Sequence, residues 1–247
     1  MADLRDYQAR NQQVGTHAGA AIDEGLRSYM LRVYNLMAMG LAITGVAAYG
    51  TSIMAVSNGQ LTQFGSMLYA SPLKWVVMLA PLALVFFLSF RIEKMSVSAA
   101  QTTFWVFSAL MGLSLSSIFL VFTGQSIVQT FFITAASFGA LSLWGYTTKR
   151  DLTGMGSFLF MGLIGIIIAM VVNLFLQSSA LQFAISAIGV LVFAGLTAYD
   201  TQKIKEMYLE ADGAAVAGRK AIMGALRLYL DFINLFLFLL QFLGNRE

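Results

Sequence analysis

The stretch Ile222–Leu243 reads IMGALRLYLDFINLFLFLLQFL, and it decides the fold because it is long and apolar enough to cross a bilayer. It nevertheless carries Asp231 in its interior, and the apolar stretch before it, Leu181–Tyr199, is followed directly by Asp200. A carboxylate at membrane depth costs several kcal/mol unless it is paired, protonated or hydrated. A chain that keeps two such residues is predicted to move or sense ions.

The composition indicates a membrane protein throughout. Of the 247 residues, 58% are hydrophobic and 11% are charged, and the mean hydropathy is +0.76. Soluble domains carry about 25% charged residues, so this chain has too little polar surface to face water on all sides. The absence of cysteine excludes a disulfide framework and a thiolate metal site, and the single histidine is His17. The small net charge of +3 gives no reason to expect nucleic-acid binding.

Seven apolar stretches are long enough to be transmembrane helices. They are roughly Met30–Met54, Leu73–Phe90, Val97–Phe122, Ile127–Tyr146, Gly156–Phe175, Leu181–Tyr199 and Ile222–Leu243. The third and fourth are separated only by Thr123–Ser126, whereas Ala55–Pro72 and Asp200–Ala221 form longer connections. Short connections force neighbouring helices to run antiparallel. We expect residues 29–247 to form an all-α membrane domain with seven transmembrane helices, preceded by a polar cytoplasmic segment over residues 1–28.

The basic residues predict the orientation of these spans. Most of them lie in the N-terminal segment or in the loops after the second, fourth and sixth spans: Arg5, Arg10, Arg27, Arg32, Arg91, Lys94, Lys149, Arg150, Lys203, Lys205, Arg219 and Lys220. The loops on the other side carry only Lys74 and Arg246. Loops rich in lysine and arginine stay in the cytoplasm. The N-terminus is therefore expected to be cytoplasmic and the C-terminus outside.

This orientation places Arg91, Asp200 and Asp231 in the inner half of the membrane. The second and sixth spans run inward and end at Arg91 and Asp200, and Asp231 lies about nine residues into the seventh span, about 14 Å deep. Arg91 can also be read as an ordinary interfacial anchor, and Asp200 as a solvated helix end that pairs with Lys203 three residues later.

Asp231 has a local interpretation as well, because Arg227 lies four residues earlier on the same helix face. Asn234 extends this polar stripe by one more turn. A polar stripe on an apolar helix should face the interior of the bundle, so we expect the last helix at the centre of the fold.

The functional interpretation starts from the two carboxyl groups. Two carboxylates that meet cannot both ionise at low cost, so they titrate as a pair and can sense pH. Their oxygens also suit Ca²⁺, although a tight Ca²⁺ site needs six to eight oxygens. Asp200 and Asp231 therefore predict a transient Ca²⁺ site in a conduction path, where weak binding permits release. Our hypothesis is that Arg91 pairs with both aspartates in a closed state.

Two segments resemble the transmembrane Bax inhibitor motif family. They are Ala198–Ile204, which reads AYDTQKI, and Leu228–Phe236, which reads LYLDFINLF. The resemblance covers nearly the whole chain. It implies a seven-helix fold in which the other six helices surround the last one. It also implies a pH-sensitive Ca²⁺ leak that is gated by Asp200 and Asp231, without an obligatory cofactor.

The same resemblance assigns the latch of the aspartate pair to Arg91, by position alone. The chain lacks a long basic C-terminal tail, since it closes with Gly244–Glu247. This favours a bacterial inner (plasma) membrane over an organellar one. Protons, Ca²⁺ and the lipid bilayer are then the expected partners.

Enzyme classes fit the sequence poorly. An intramembrane aspartyl protease would match Tyr199–Asp200, but its second aspartate follows Gly-x-Gly, whereas Asp231 follows Tyr229–Leu230. A retinal photoreceptor needs a lysine within the seventh span, where Arg227 is the only basic residue before Arg246. A zinc-dependent membrane hydrolase needs several histidines within the membrane, and the spans contain none. We therefore expect a protein that is not an enzyme.

The serious alternative is a membrane partner that modulates a membrane-bound protease. In that case the polar segment Met1–Arg27 would form the contact, and the aspartates would be structural. The sequence leaves this alternative open beside the leak channel.

Overall fold

Seven helices are long and apolar enough to cross a membrane in the computed structural model, which describes the backbone of residues 2–246 and the side chains of residues 24–246. We call them spans 1 to 7: Glu24–Ala55, Leu73–Lys94, Val97–Leu120, Gly124–Thr147, Thr153–Leu176, Ser179–Glu206 and Ala214–Leu243. The predicted all-α membrane fold is confirmed. The side chains of residues 1–23, which make up most of the predicted polar segment, lie outside the described residues.

The helices differ in regularity. Span 1 is the later part of a helix over Ala2–Ala55. Span 2 is an α-helix over Leu73–Arg91 that ends in a 3₁₀ turn at Ile92–Lys94, and span 3 is an α-helix over Val97–Leu115 that continues as a 3₁₀ helix over Ser116–Leu120. Spans 4 to 7 are continuous α-helices.

The connection between spans 1 and 2 carries local structure of its own. Strands Val56–Ser57 and Gln60–Leu61 pair antiparallel, and the two residues between them, Asn58 and Gly59, have φ angles of 53° and 74°. An Asn-Gly pair with positive φ at both positions is the preferred two-residue hairpin turn. A short α-helix, Gln63–Gly65, and a π-helical turn, Ser66–Ala70, lead into span 2.

Side-chain caps fix where several spans begin. The hydroxyl groups of Ser96, Thr123 and Ser178 accept hydrogen bonds from backbone N–H groups three residues later, at the first turns of spans 3, 4 and 6. Such caps satisfy donors that a helix start otherwise leaves unpaired. The cap at Thr123 explains why so short a separator divides spans 3 and 4.

Spans 6 and 7 are longer than the sequence indicated, and this corrects the position of Asp200. The apolar stretch ends at Tyr199, but the helix continues to Glu206, so Asp200 lies within the helix and not at its end. The continuation is stable because Thr201, Gln202 and Ile204 are buried while the alternating charged residues are not. The connection to span 7 shrinks to residues 207–213.

Span 7 is the most buried of the seven helices, since 72% of its apolar stretch is buried. Spans 1, 3, 4 and 6 pack directly on it, whereas span 2 packs mainly on span 3 and span 5 on span 6. Spans 2 and 5 are the least buried, at 17% and 11%. A complete ring of six helices around span 7 is therefore not confirmed, and one flank of span 7 faces a groove.

Two glycines permit close helix contacts. A methyl group at Gly145 of span 4 would overlap the backbone carbonyl of Ala198 in span 6, and one at Gly112 of span 3 would crowd the carbonyl of Thr44 in span 1. Backbone contact of this kind strengthens helix association in a membrane, where lipid competes with every apolar side chain.

We expect Gly145→Ala to lower the free energy of unfolding by about 1–3 kcal/mol, because the methyl group forces spans 4 and 6 apart. Thermal unfolding of the purified protein in detergent would show the loss. Gly139→Ala, six residues earlier in span 4, is the control, because its methyl group meets no atom within 4 Å. Equal unfolding temperatures for the two variants would contradict the close contact.

Candidate functional site

The structure brings Asp200 and Asp231 together at the contact of spans 6 and 7. Both side chains line the same groove, and they are close enough for their charges to interact. Asp231 is 5% exposed, and its Oδ2 atom has no hydrogen-bond partner among the described residues. Asp200 is half-buried. The meeting of two aspartates that the sequence suggested is thus present as geometry.

Both carboxyl groups line a groove of about 950 Å³ between spans 5, 6 and 7. On span 7 the lining extends from Arg227 to Gln241, which corresponds to about 21 Å of helix rise. The groove therefore covers most of a hydrocarbon core about 30 Å thick. Its walls are mainly apolar, with Phe160 and Ile167 from span 5 and Phe193 from span 6.

The polar stripe of span 7, which we expected to face the interior of the bundle, faces this groove at its flank. Arg227 is exposed and lines the groove one turn before Asp231. It makes no ion pair with either aspartate within 4 Å. Its positive charge is nevertheless close enough to attract both carboxyl groups. Asn234 also lines the groove, and its side-chain amide donates a hydrogen bond to the carbonyl of Leu230 at 2.8 Å.

Arg91 is not part of this constellation in the structure. It is exposed at the end of span 2, while Ile92 beside it is buried in the core. Span 2 packs mainly on span 3, and its packing on span 7 is mainly through the turn Ile92–Lys94. The predicted contact between Arg91 and the aspartates is absent here, and Arg227 is the basic residue that shares their groove.

The local pairings considered from the sequence do not form either. Lys203 forms an ion pair with Glu206 at 2.8 Å, and so does not pair with Asp200. Among residues 24–246 the other ion pair joins Lys220 and Asp212. Asp200 and Asp231 therefore form no ion pair with a lysine or an arginine among residues 24–246.

Hydroxyl groups fix the rotation of span 7 around Asp231. Tyr229, two residues earlier, is fully buried, and its hydroxyl lies 2.6 Å from that of Thr44 in span 1. The Thr44 hydroxyl in turn donates to the carbonyl of Ser108 in span 3 at 2.8 Å. The rings of Phe104 and Phe107 pack edge-on against Tyr229. Spans 1, 3 and 7 are thereby held in one register.

A second hydroxyl chain fixes the rotation of span 6 beside Asp200. Thr201 contacts Ser142 of span 4 at 2.9 Å, and Ser142 contacts Tyr34 of span 1 at 2.7 Å. Gln202 accepts a hydrogen bond from the backbone of Leu152 and donates one to the carbonyl of Arg150. Sequence reasoning missed these positioning residues, although polar side chains inside apolar spans are a signal for interhelical hydrogen bonds.

The site provides few ligands for a resident metal ion. In the part of the chain with described side chains, no group of three or more His, Cys, Asp or Glu residues is placed to hold one. Two carboxylates and an amide suit brief contact with a hard cation, not a closed coordination shell.

Comparison with known proteins places this geometry in a family. The model of the family described as "Inhibitor of apoptosis-promoting Bax1" matches residues 26–247, which include all but the first two residues of span 1 and both aspartate motifs. The chain belongs to this Bax inhibitor family.

Relatives in the Bax inhibitor family match over almost their full lengths. An uncharacterized protein of Rickettsia prowazekii, RP147, is 53% identical over 94% of this chain and 95% of its own. The inner membrane protein YbhL of Escherichia coli K12 is 49% identical over 90% and 94%. An uncharacterized membrane protein of Streptococcus pyogenes serotype M1 is 36% identical over 91% and 96%.

We expect Asp231→Asn to raise the unfolding temperature at pH 8. An amide at this position can donate a hydrogen bond to Asp200, and it removes the repulsion of a second carboxylate. We expect the free energy of unfolding to rise by about 1–2 kcal/mol. Each kcal/mol shifts the unfolding temperature by about 2–4 °C for a chain of this size. Thermal unfolding in detergent measures the difference.

Asp151→Asn is the matched control. Asp151 lies in the loop between spans 4 and 5, where hydrogen bonds from Thr153 hold the pKa of its carboxyl group below the ordinary value. An amide oxygen at this exposed position can accept the same bonds, so the unfolding temperature should stay nearly constant. A lower unfolding temperature for Asp231→Asn would instead show that the carboxylate itself stabilises the fold.

Proposed function

We propose that this protein is a pH-sensitive leak for Ca²⁺ in a bacterial inner membrane, with Asp200 and Asp231 as its ion-binding and proton-binding pair. The observation that supports this most is the unpartnered Oδ2 atom of Asp231 in a groove between three spans. An unsatisfied buried carboxyl oxygen costs stability, and function is the usual reason for keeping one. The name of the relative YbhL supports the inner membrane as the location.

The groove suits passage better than storage. Two carboxylates attract a divalent cation, and Asn234 and Gln241 offer amide oxygens further along the same wall. The set falls short of the six to eight oxygens that hold Ca²⁺ tightly. A conducting path needs sites that bind strongly enough for entry and weakly enough for release.

Arg227 supplies the competing charge in this proposal. Its guanidinium group lines the groove one turn from Asp231 and neutralises part of the negative charge when no cation is bound. An entering Ca²⁺ competes with the charge of Arg227 for the carboxyl oxygens of Asp200 and Asp231. A proton on this aspartate pair weakens its attraction both to Ca²⁺ and to Arg227. A latch formed by Arg91 would need span 2 to approach span 6 more closely than it does here.

The positive-inside bias of the loops supports a cytoplasmic N-terminus and an external C-terminus. The inner mouth of the groove then lies at Arg227, and Gln241 lies towards the outside. Ca²⁺ would enter the cell down its gradient along this path.

The test is Ca²⁺ entry into proteoliposomes that contain an indicator dye, measured between pH 6 and pH 8. We expect the native chain to show flux that depends on pH, and Asp231→Asn to lose that dependence. Arg227→Gln should shift the pH dependence, because it removes the competing charge, whereas Arg91→Gln is the matched substitution outside the groove and should shift it less. No flux above empty liposomes at any pH would overturn the proposal.

The second candidate is a membrane partner that modulates a membrane-bound protease. It is favoured by the helix over Ala2–Ala55, which begins more than 20 residues before span 1 and so offers a contact segment outside the bilayer. Deletion of residues 2–24 separates the two candidates. A leak should keep its flux in liposomes after the deletion, whereas a protease partner should lose its effect on proteolysis in cells.

A further inference from the structure

A second cavity lies between spans 1 and 4 and shares no lining residue with the acidic groove. Its volume is about 500 Å³, within the range of small-molecule sites. Met30, Met37, Phe138 and Leu143 contribute to its apolar walls. Its walls lie within two membrane spans, so the acyl chains of the bilayer are the apolar material that can fill it.

The polar groups of this cavity are unevenly distributed. Arg27 lies at one end, close to the start of span 1, together with Tyr146 near the end of the antiparallel span 4. The amino group of Lys205 donates a hydrogen bond to the carbonyl of Tyr146 at 2.7 Å and lies 5.6 Å from the centre of its ring. One cationic side chain, Arg27, therefore lines the mouth of an otherwise apolar cavity, and a second, Lys205, lies beside it against Tyr146.

Among residues 24–246, acidic side chains do not neutralise this mouth. None of the described residues that line the cavity is an aspartate or a glutamate. Glu24 lines the neighbouring pocket together with Arg27, but the two make no ion pair within 4 Å. The deeper hydroxyl groups of Tyr34 and Ser142 already bond to each other. The mouth is thus complementary to an anionic group, and the interior is complementary to hydrocarbon.

The dimensions agree with one leaflet of a bilayer. From Arg27 to Ala38 the lining of span 1 rises about 16 Å, close to half of a hydrocarbon core about 30 Å thick. At its deep end the cavity shares Met37, Ala38 and Phe138 with a further apolar cavity of about 590 Å³. An acyl chain that enters at Arg27 therefore has room to continue towards the middle of the membrane.

We propose that this cavity binds one anionic phospholipid of the leaflet on the N-terminal side of the membrane. An acyl chain lies between spans 1 and 4, and the phosphate accepts hydrogen bonds from Arg27 and Lys205. The site does not depend on the Ca²⁺ leak, and it gives the chain a preference for anionic membranes.

Gly139 provides the sharpest variant for a test. It lines the cavity from span 4, and a methyl group built on it meets no atom within 4 Å. Gly139→Leu therefore fills the space of the acyl chain without displacing a neighbouring helix. Gly165 in span 5 is the matched control, because an added methyl group there is equally unobstructed and the residue lies outside the cavity.

The experiment is native mass spectrometry of the purified full chain, titrated with phosphatidylglycerol or with phosphatidylcholine that has the same acyl chains. We expect the native chain to bind the first phosphatidylglycerol roughly fivefold tighter for each basic residue that contacts it. Arg27→Gln should lose about one such factor and leave phosphatidylcholine binding unchanged. Gly139→Leu should weaken binding of both lipids roughly tenfold, the loss expected when two methylene groups are no longer buried.

Gly165→Leu should bind both lipids as the native chain does. Thermal unfolding of Gly139→Leu serves to check that this variant is folded. Equal affinity of the native chain for the two lipids would overturn the proposal. Native-like lipid binding by a folded Gly139→Leu variant would also overturn it. A native dimer that Gly139→Leu converts into a monomer, without any change in bound lipid, would assign the cavity to a second copy of the chain instead.

Discussion

The burial of the Asp231 carboxyl group is the constraint on which the rest of the structure depends. A carboxyl group in a low-dielectric helix bundle is costly, and here one oxygen has no hydrogen-bond partner among the described residues while a second aspartate lines the same groove. The surrounding fold must offset that cost. It does so by burying the other faces of span 7 against spans 1, 3, 4 and 6, so that the most buried helix of the bundle is also the one that carries the charge.

Apolar burial alone cannot fix that arrangement in a bilayer, because lipid solvates a leucine as well as a neighbouring helix does. The orientation of spans 6 and 7 depends instead on directional bonds. Tyr229 bonds to Thr44 two residues before Asp231, and Thr201 bonds to Ser142 one residue after Asp200. Both bonds are short, buried and between helices that are distant in sequence. They set the rotation that turns both carboxyl groups towards the groove.

Much of the fold and of the candidate site could be predicted from the sequence, because these parts depend on composition and on helical periodicity. The seven spans follow from apolar length, and the groove-facing stripe of Arg227, Asp231 and Asn234 follows from helical spacing. The position of Asp200 within a helix could not be read, because hydropathy falls at Tyr199 while helical hydrogen bonding continues through buried Thr201 and Ile204. The position of Arg91 away from the aspartates could not be predicted from the sequence either. Depth in the membrane is set by sequence, but the side of the bundle on which a helix packs is set by tertiary contacts.

Those contacts also indicate which wall of the groove moves at least cost. Span 5 lines the groove, packs mainly on span 6 and is the least buried span, although it has the highest hydropathy. Its C-terminal end is joined to span 6 by a hydrogen bond from Asn173 to Gln182, and Gln182 donates in turn to Gln241 of span 7. A helix that packs mainly on one neighbour loses little when it shifts in a bilayer, because lipid replaces the contacts that it gives up. Spans 6 and 7 are cross-linked by neighbours on several sides, so the aspartates form the fixed wall of the groove and span 5 the adjustable one.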